Sequence, residues 1–464
     1  MPAYEGLGIG VERAAVVLDV GFAHTKCGFS GESSPRFIIP SKAENIITKK
    51  VVDLWTASSS ELSNVLIDFI YHIYFRLLSI SPRERRVVIC ESLVCPAYFR
   101  QAFAETLFKH FEAPSILYLP SQQLPLYTLG IQTAIVVDVG SQETTLIPFV
   151  EGIPLVGCWD SVPCAGNAIQ RNVANLMMEK CMVTDADGVK PLPASRDMLN
   201  SKVLEDITVR TCFVRGLSPA DATSSVCVRM RACVCEYVHT CMCVYGRKLS
   251  PPLHMLLLVA LCPICYSHSS PTAAPADQQQ TLPVNYPVDD DTTIIIDGHV
   301  RSCAADVMFV DDTDGMCLPR SILSAIAKAP IDCRKLLAEN LVIVGGASEM
   351  PGFRHRLLAE LKAWLGKPEF SQLSIKQFKM HQNLVPANTM CWVGASIYSA
   401  TGVLKERSLS KDTYAEKGGK LPDWTSCDPD LNAADALSWQ KKRSIYSLPV
   451  SKASAPSSVA HTVS

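Results

Sequence analysis

An internally duplicated α/β protein is the fold class this sequence predicts, and three observations carry it. Ala15-Val16-Val17-Leu18-Asp19-Val20-Gly21 recurs as Ala134-Ile135-Val136-Val137-Asp138-Val139-Gly140, so two similar halves are expected. A third apolar run, Leu341-Val342-Ile343-Val344, ends on Gly345-Gly346. Between these runs lie stretches of helical period, and strands that alternate with helices imply sheets covered by helices.

Each repeat copy is a β-branched run ending in Asp-x-Gly, the pattern of a buried strand entering a tight turn. After it, Leu62, Val65, Leu66, Phe69, Ile70 and Ile73 succeed one another at spacings of three and four. That spacing predicts a helix, with Ser58-Ser59-Ser60-Glu61 as its capping box. Val87 to Cys90 predicts a further strand and Phe99 to Phe111 a further helix. Residues 216–282 break the pattern. From Val226 to Tyr245, Cys and Val alternate with residues one base away from them in the genetic code, as in a translated dinucleotide repeat. Leu253 to Leu261 is far short of the roughly 20 residues a membrane span needs, and Ser267 to Gln280 has linker composition. The stretch is therefore expected to be a low-complexity insertion with no packed fold, and the regular pattern resumes at Tyr286.

The chain has 464 residues, 48% of them hydrophobic, enough for a large core in more than one lobe. Its formal net charge of -2 provides no global field for nucleic acid or an anionic membrane. Met1 to Arg13 carries Glu5, Glu12 and no apolar run, so no secretory leader and a cytosolic or nuclear setting are expected. Of the 19 cysteines, twelve are scattered singly through apolar segments and read as reduced, buried small hydrophobes. Cys262-Pro263-Ile264-Cys265 has zinc-knuckle spacing, but one such pair is half a site and no metal is expected.

An Asp at a strand end, followed by a glycine turn, suits phosphate chemistry: turn amides reach phosphate oxygens while the carboxylate holds hydrated Mg²⁺. One copy is weak evidence, because strand-to-turn junctions use these residues widely. Two matched copies plus Gly345-Gly346 make a much stronger case. They nominate Asp19, Gly21, Lys26, Asp138, Gly140, Gly345 and Gly346 as cofactor-binding residues.

Ordered landmarks then bring a family into view. Asp19-Val20-Gly21, Lys26-Cys27-Gly28-Phe29-Ser30-Gly31, Pro35-Arg36 and Pro40-Ser41 resemble the first phosphate loop of actin and the residues just after that loop. Asp138-Val139-Gly140 and Pro148-Phe149-Val150-Glu151-Gly152 resemble the second. Asn340, Gly345-Gly346, Pro351-Gly352, Trp392-Val393-Gly394-Ala395-Ser396 and Ser410-Lys411-x-x-Tyr414 resemble actin's adenosine motif and C-terminal helices. The resemblance implies the two-lobed actin, sugar-kinase and heat-shock-protein fold. Residues 1–130 with 387–420 would form the first lobe and 131–386 the second, the insertion lying at 216–282 and a mostly disordered tail at 421–464. Within the family, Glu5-Gly6-Leu7-Gly8, Thr25-Lys26-Cys27-Gly28-Phe29 and Leu337-Ala338-Glu339-Asn340-Leu341-Val342 resemble the divergent actin-related branch at the pointed end of dynactin.

Departures from the actin pattern shape the functional expectation. Phe22 and Ala23 stand where the first loop would present a small hydroxyl residue and glycine. Ser141 and Gln142 replace acidic and glycine residues of the second loop, and Glu143 adds a charge there. Actin's water-orienting histidine and glutamine fall at Thr145 and Ser121, with Gln122 next door. Its nucleoside-contacting Lys and Glu fall at Thr208 and Val209. Two outcomes stay open for the cofactor: ATP or ADP with Mg²⁺ held statically, or none. After Ser41 the chain reaches the helix near Glu61 without room for actin's long filament loop. The resemblance thus implies no catalysis and a cap on the pointed end of the dynactin filament, whose partners are filament subunits and other pointed-end subunits. An actin-fold ATPase and a nuclear chromatin subunit are the alternatives; no nucleic-acid contact or membrane insertion is expected.

Overall fold

The computed structural model describes residues 13–45, 49–92, 95–185, 188–191, 199–217, 281–289, 292–312 and 315–421. The interruption expected at 216–282, with Cys262 and Cys265, and the tail expected from 421 lie almost wholly outside them. The chain divides into two compact units. Unit 1 comprises Met1–Ala168, Leu318–Met350 and Trp364–Ser464, and unit 2 comprises Ile169–Cys317 and Pro351–Ala363.

Unit 1 begins with β1 (Val16–Val20), β2 (His24–Phe29), β3 (Phe37–Pro40), β4 (Lys42–Glu44) and β5 (Val51–Asp53). After helix α1 (Ser59–Tyr71) come β6 (Val87–Glu91), helix α2 (Ala97–Glu105), β7 (Ser115–Pro120) and helix α3 (Leu124–Leu129). β8 (Ala134–Val139), β9 (Thr144–Val150), β10 (Ile153–Pro154) and β11 (Asp160–Val162) are next, and helix α4 (Gly166–Lys180) begins in unit 1 and continues in unit 2. Unit 2 contains β12 (Met182–Asp185), β13 (Gly188–Pro191), helix α5 (Ser201–Thr211), β14 (Val284–Pro287) and β15 (Thr293–Ile296). The chain returns to unit 1 with β16 (Leu341–Val344) and β17 (Leu409–Ser410).

In unit 1 the first sheet runs β17-β7-β6-β1-β2-β3 and the second β10-β9-β8-β16, with β11 on β9. The repeat copies β1 and β8 each open an antiparallel hairpin, with β2 and β9, and each has a parallel neighbour, β6 or β16. Their apolar runs are continuous because both faces are covered. Val16 and Leu18 point into a core with α1 and α2, whereas Ala15 and Val17 join one with β8, β16 and the helix Met390–Ser399. That helix is buried almost throughout, and its Trp392 indole N–H donates to Val17 O at 3.0 Å. It crosses α3 closely. A Cβ on Gly394 would stand 2.1 Å from Leu124 O, so only glycine fits.

α1 forms where the apolar period predicts it. Ser58 lies at its N-cap, but its hydroxyl donates to Glu61 Oε2 at 2.8 Å, so the expected capping box is not made. Both α1 and α2 run on into π-helical turns, His72–Leu77 and Thr106–His110. None of the eleven described cysteines is in a disulfide, and nine are buried, as expected of small hydrophobes; Cys95 and Cys333 are half-buried. No helix among the described residues is long and apolar enough to cross a membrane.

Unit 2 holds a four-stranded sheet, β13-β12-β15-β14. Arg301 ties together the segments on either side of residues 218–280: its guanidinium donates to Thr211 O at 2.9 Å and to Leu282 O at 2.6 Å. Phe213 N–H donates to Arg301 O at 3.0 Å. Both segments are thus anchored without that stretch. Replacing residues 218–280 with a short Gly-Ser linker is expected to move the melting temperature by less than about 3 °C, roughly 1 kcal/mol. A larger fall in scanning calorimetry would show that the stretch packs.

Candidate functional site

The nominated residues all belong to unit 1. Asp19 and Lys26 are direct cross-strand partners on β1 and β2, and Lys26 Nζ lies 3.0 Å from Asp19 Oδ2. Burial disfavours the Lys26 charge, but Asp19 beside it, with smaller help from Asp138, raises its pKa above the ordinary lysine value. Asp138, near the end of β8, belongs to the same charge cluster: burial pushes its pKa up to about 6, against the pull of Lys26 and with the push of Asp19. One cation and two carboxylates, the carboxylates one from each repeat copy, thus share a charge cluster. Cys90 and Cys391 sit in the same cluster, and burial raises both thiols well above the ordinary cysteine value. They are inert lining here.

The glycines shape the turns around this cluster. Gly21 N–H points to Asp19 O and His24 O, both at 3.2 Å. Its carbonyl accepts the Ser41 hydroxyl at 2.6 Å and the Trp55 indole N–H at 3.0 Å. Gly140 N–H donates to Glu143 O at 3.2 Å, and Gly140 O accepts from Gly166 N–H at the start of α4. Gly345 has φ +89°, and a Cβ there would stand 2.3 Å from Val139 O and 2.7 Å from Asp138 Oδ1. Left-handed backbone and close approach both demand glycine. Gly346 comes next, with Asn388 as its near neighbour.

Phe22 stacks toward Trp55, ring centroids 6.3 Å apart, and Trp55 stacks on Phe99 at 4.1 Å. Glu143 accepts the Ser161 hydroxyl at 2.6 Å and so is held by β11. Thr145 faces Asp138 across the β8–β9 ladder and accepts from Gln122 Nε2 at 3.2 Å; Gln122 is fully buried. Thr208 donates to Leu204 O of its own helix, and Val209 is 73% exposed.

For Mg²⁺ and a nucleotide the residues fit in part. Two carboxylates, a lysine and a Cβ-free Gly345 suit a metal–phosphate group and a closely approaching nucleoside. Ser121 Oγ and Asn388 Oδ1, beside Gln122 and Gly346, are buried without an internal hydrogen-bond partner. Such atoms cost free energy unless something meets them. By contrast, the turn amides of Gly21 and Gly140 already donate within the protein. Trp55 and Asn388 were not nominated from sequence, and Ser41 and Gln122 entered only through the actin resemblance. Their contacts cross 20 to 39 residues, and no local spacing signals them.

The family model for actin matches residues 63–423. Among curated proteins, "Actin-related protein 10" of Dictyostelium discoideum is 22% identical over 479 aligned positions, covering 89% of this chain and 89% of that protein. "Putative actin-29" of the same organism is 21% identical over 440 positions, covering 88% and 96%.

Proposed function

The chain belongs to the actin family, and from that premise we propose that it is a non-catalytic actin-related subunit that caps the pointed end of the dynactin filament. It would thereby serve dynein-driven transport along microtubules, in the cytoplasm, with filament subunits and other pointed-end subunits as partners. The name of one relative, "Actin-related protein 10", supports an actin-related rather than a conventional actin role.

The observation that carries the cap is the segment after Ser41. β4 and β5 pair as three-residue strands, and the hairpin between them is pinned by Asn45 N–H to Lys50 O at 2.9 Å. Trp55 and Ser41 then tie it to Gly21. A hairpin this short has no long loop to insert into a following subunit. Elsewhere on unit 1, Ile331 and Leu384 are 76% and 74% exposed, apolar surface that a filament neighbour would cover. A stable interface needs about 1,000 Å² of buried surface, so losing one insertion loop weakens that end selectively.

The family binds ATP or ADP with Mg²⁺. Here Asp19 and Asp138 would hold the ion, Lys26 a phosphate, and Gly345-Gly346 the nucleoside, as a static ligand. Added to growing filaments of an actin-related subunit, the protein is expected to stop elongation at the pointed end and leave the other end growing, as tracked by single-filament fluorescence. Self-assembly of the pure protein, or its absence from purified dynactin, would overturn the reading.

A further inference from the structure

The edge of the six-stranded sheet where β1 and β6 begin lies at the opposite end of those strands from Asp19. Val16 pairs with Val87 in parallel, so Arg13, just before β1, and Arg85, just before β6, emerge at this edge. Phe29, opposite Val16 on β2, lies there too and is 7% exposed. The guanidinium carbons of Arg36 and Arg85 stand 4.5 and 4.8 Å from the centroid of its ring. One aromatic ring thus carries two cations.

Carboxylates balance only part of this charge. Glu32 Oε1 lies 2.6 Å from Arg36 Nη2, and Glu84 pairs with Arg13. Arg85 donates to Ala14 O at 2.8 Å and meets no carboxylate among the described residues. Burial lowers its pKa below the ordinary arginine value, and the charges of Arg13 and Arg36 lower it further. Arg13 and Arg36 therefore both repel Arg85, and an anion placed beside Arg85 relieves that repulsion. Beside them Gly31 to Arg36 line an open hollow of about 410 Å³, with Ser33 and Ser34 exposed.

We propose that this edge binds an acidic segment of a partner polypeptide, whose carboxylates take up Arg85 and bridge to Arg13 and Arg36 while its backbone lies along the hollow. The planar fork of arginine suits paired contacts with single carboxylates. Glu32 and Glu84 are each paired with one of these cations, so a continuous row of phosphates or an anionic lipid surface would meet repulsion that separate, spaced carboxylates avoid. The site is distinct from the nucleotide residues and from the hairpin after Ser41, and it does not rest on the cap reading.

The test is fluorescence anisotropy of a fluorescein-labelled oligo-glutamate peptide against the full chain. Binding is expected to weaken about tenfold or more in Arg85→Gln and in Arg36→Gln, to fall steeply with salt, and to be unchanged in Lys335→Gln. Melting temperatures of the variants verify folding, and Arg13→Gln, at an exposed side chain, replaces Arg85→Gln if that variant does not fold. The proposal is overturned if the wild-type chain does not bind the peptide, or if the arginine variants bind it as tightly. It is equally overturned if oligothymidylate or phosphatidylserine vesicles bind more tightly than the peptide through the same arginines.

Discussion

Replacing Lys26 with methionine is expected to cost about 3–5 kcal/mol of stability at neutral pH, because it leaves Asp19 without its buried counter-charge beside a second carboxylate. The Lys26 and Asp19 side chains are only 16% and 12% exposed, so water replaces little of the lost interaction. The shifts set the pH dependence. Lys26 has a raised pKa, so its contribution is complete below the ordinary lysine value and is lost only as pH rises through its folded value. It is flat near neutrality. Asp138 behaves in the opposite sense to the usual carboxylate: its pKa rises from 3.8 to about 6. Between those values the unfolded chain releases a proton that the folded chain keeps, so stability falls as pH rises through the window. Lys26 lowers the Asp138 pKa, and its removal moves that pKa higher still and deepens the fall. Urea unfolding at about pH 5 and about pH 7.5 should therefore show Lys26→Met losing more at the higher pH, and Asp138→Asn flattening the wild-type slope. A Lys26→Met variant within about 1 kcal/mol of wild type at both values would show that the cluster is not electrostatically coupled as the geometry implies.

That cluster marks how far sequence reading reaches. The matched runs at 15–21 and 134–140 made β1 and β8 visible, because a strand covered on both faces leaves an unbroken β-branched signature. Gly345 was visible for a related reason: a backbone at φ +89° against a carbonyl tolerates only glycine. The role of Lys26 was legible only in part. Its place after the first turn nominated it as a cofactor-binding residue, and the β1–β2 register, which sets it directly opposite Asp19, was not legible. Registers of this kind depend on turn geometry, which sequence reports poorly. Phe22 stands in the first loop, and its ring turns toward Trp55, 33 positions along the chain. The bond from Trp392 to Val17 spans 375 residues, and the two arginines on Phe29 come from separate segments. Contacts at such separations leave no periodicity to read.

Phosphate release from MgATP is expected to be about 10²–10⁴-fold slower than in a polymerising actin, the range a positioned proton-handling group contributes. The reason lies between β7 and β9. Gln122 spends its amide on Thr145 Oγ1 at 3.2 Å and on Ser92 Oγ at 3.3 Å, and both Gln122 and Thr145 are buried. A threonine hydroxyl is shorter than an imidazole and has no pKa near neutrality with which to steer a water. Thr145→His alone is expected not to restore turnover, since it breaks the Gln122 bond and forces a larger ring into a closed space. Single-turnover phosphate release, run beside equilibrium binding of a fluorescent ATP analogue, separates the outcomes. Binding without release supports a static nucleotide held by Asp19, Lys26 and Asp138, and absence of both supports an empty site. Release at the rate of a polymerising actin would refute the non-enzymatic reading. The Gln122–Thr145 bond would then have to open during each turnover, and the buried Ser121 hydroxyl beside it would be the next group to test as a water-orienting partner.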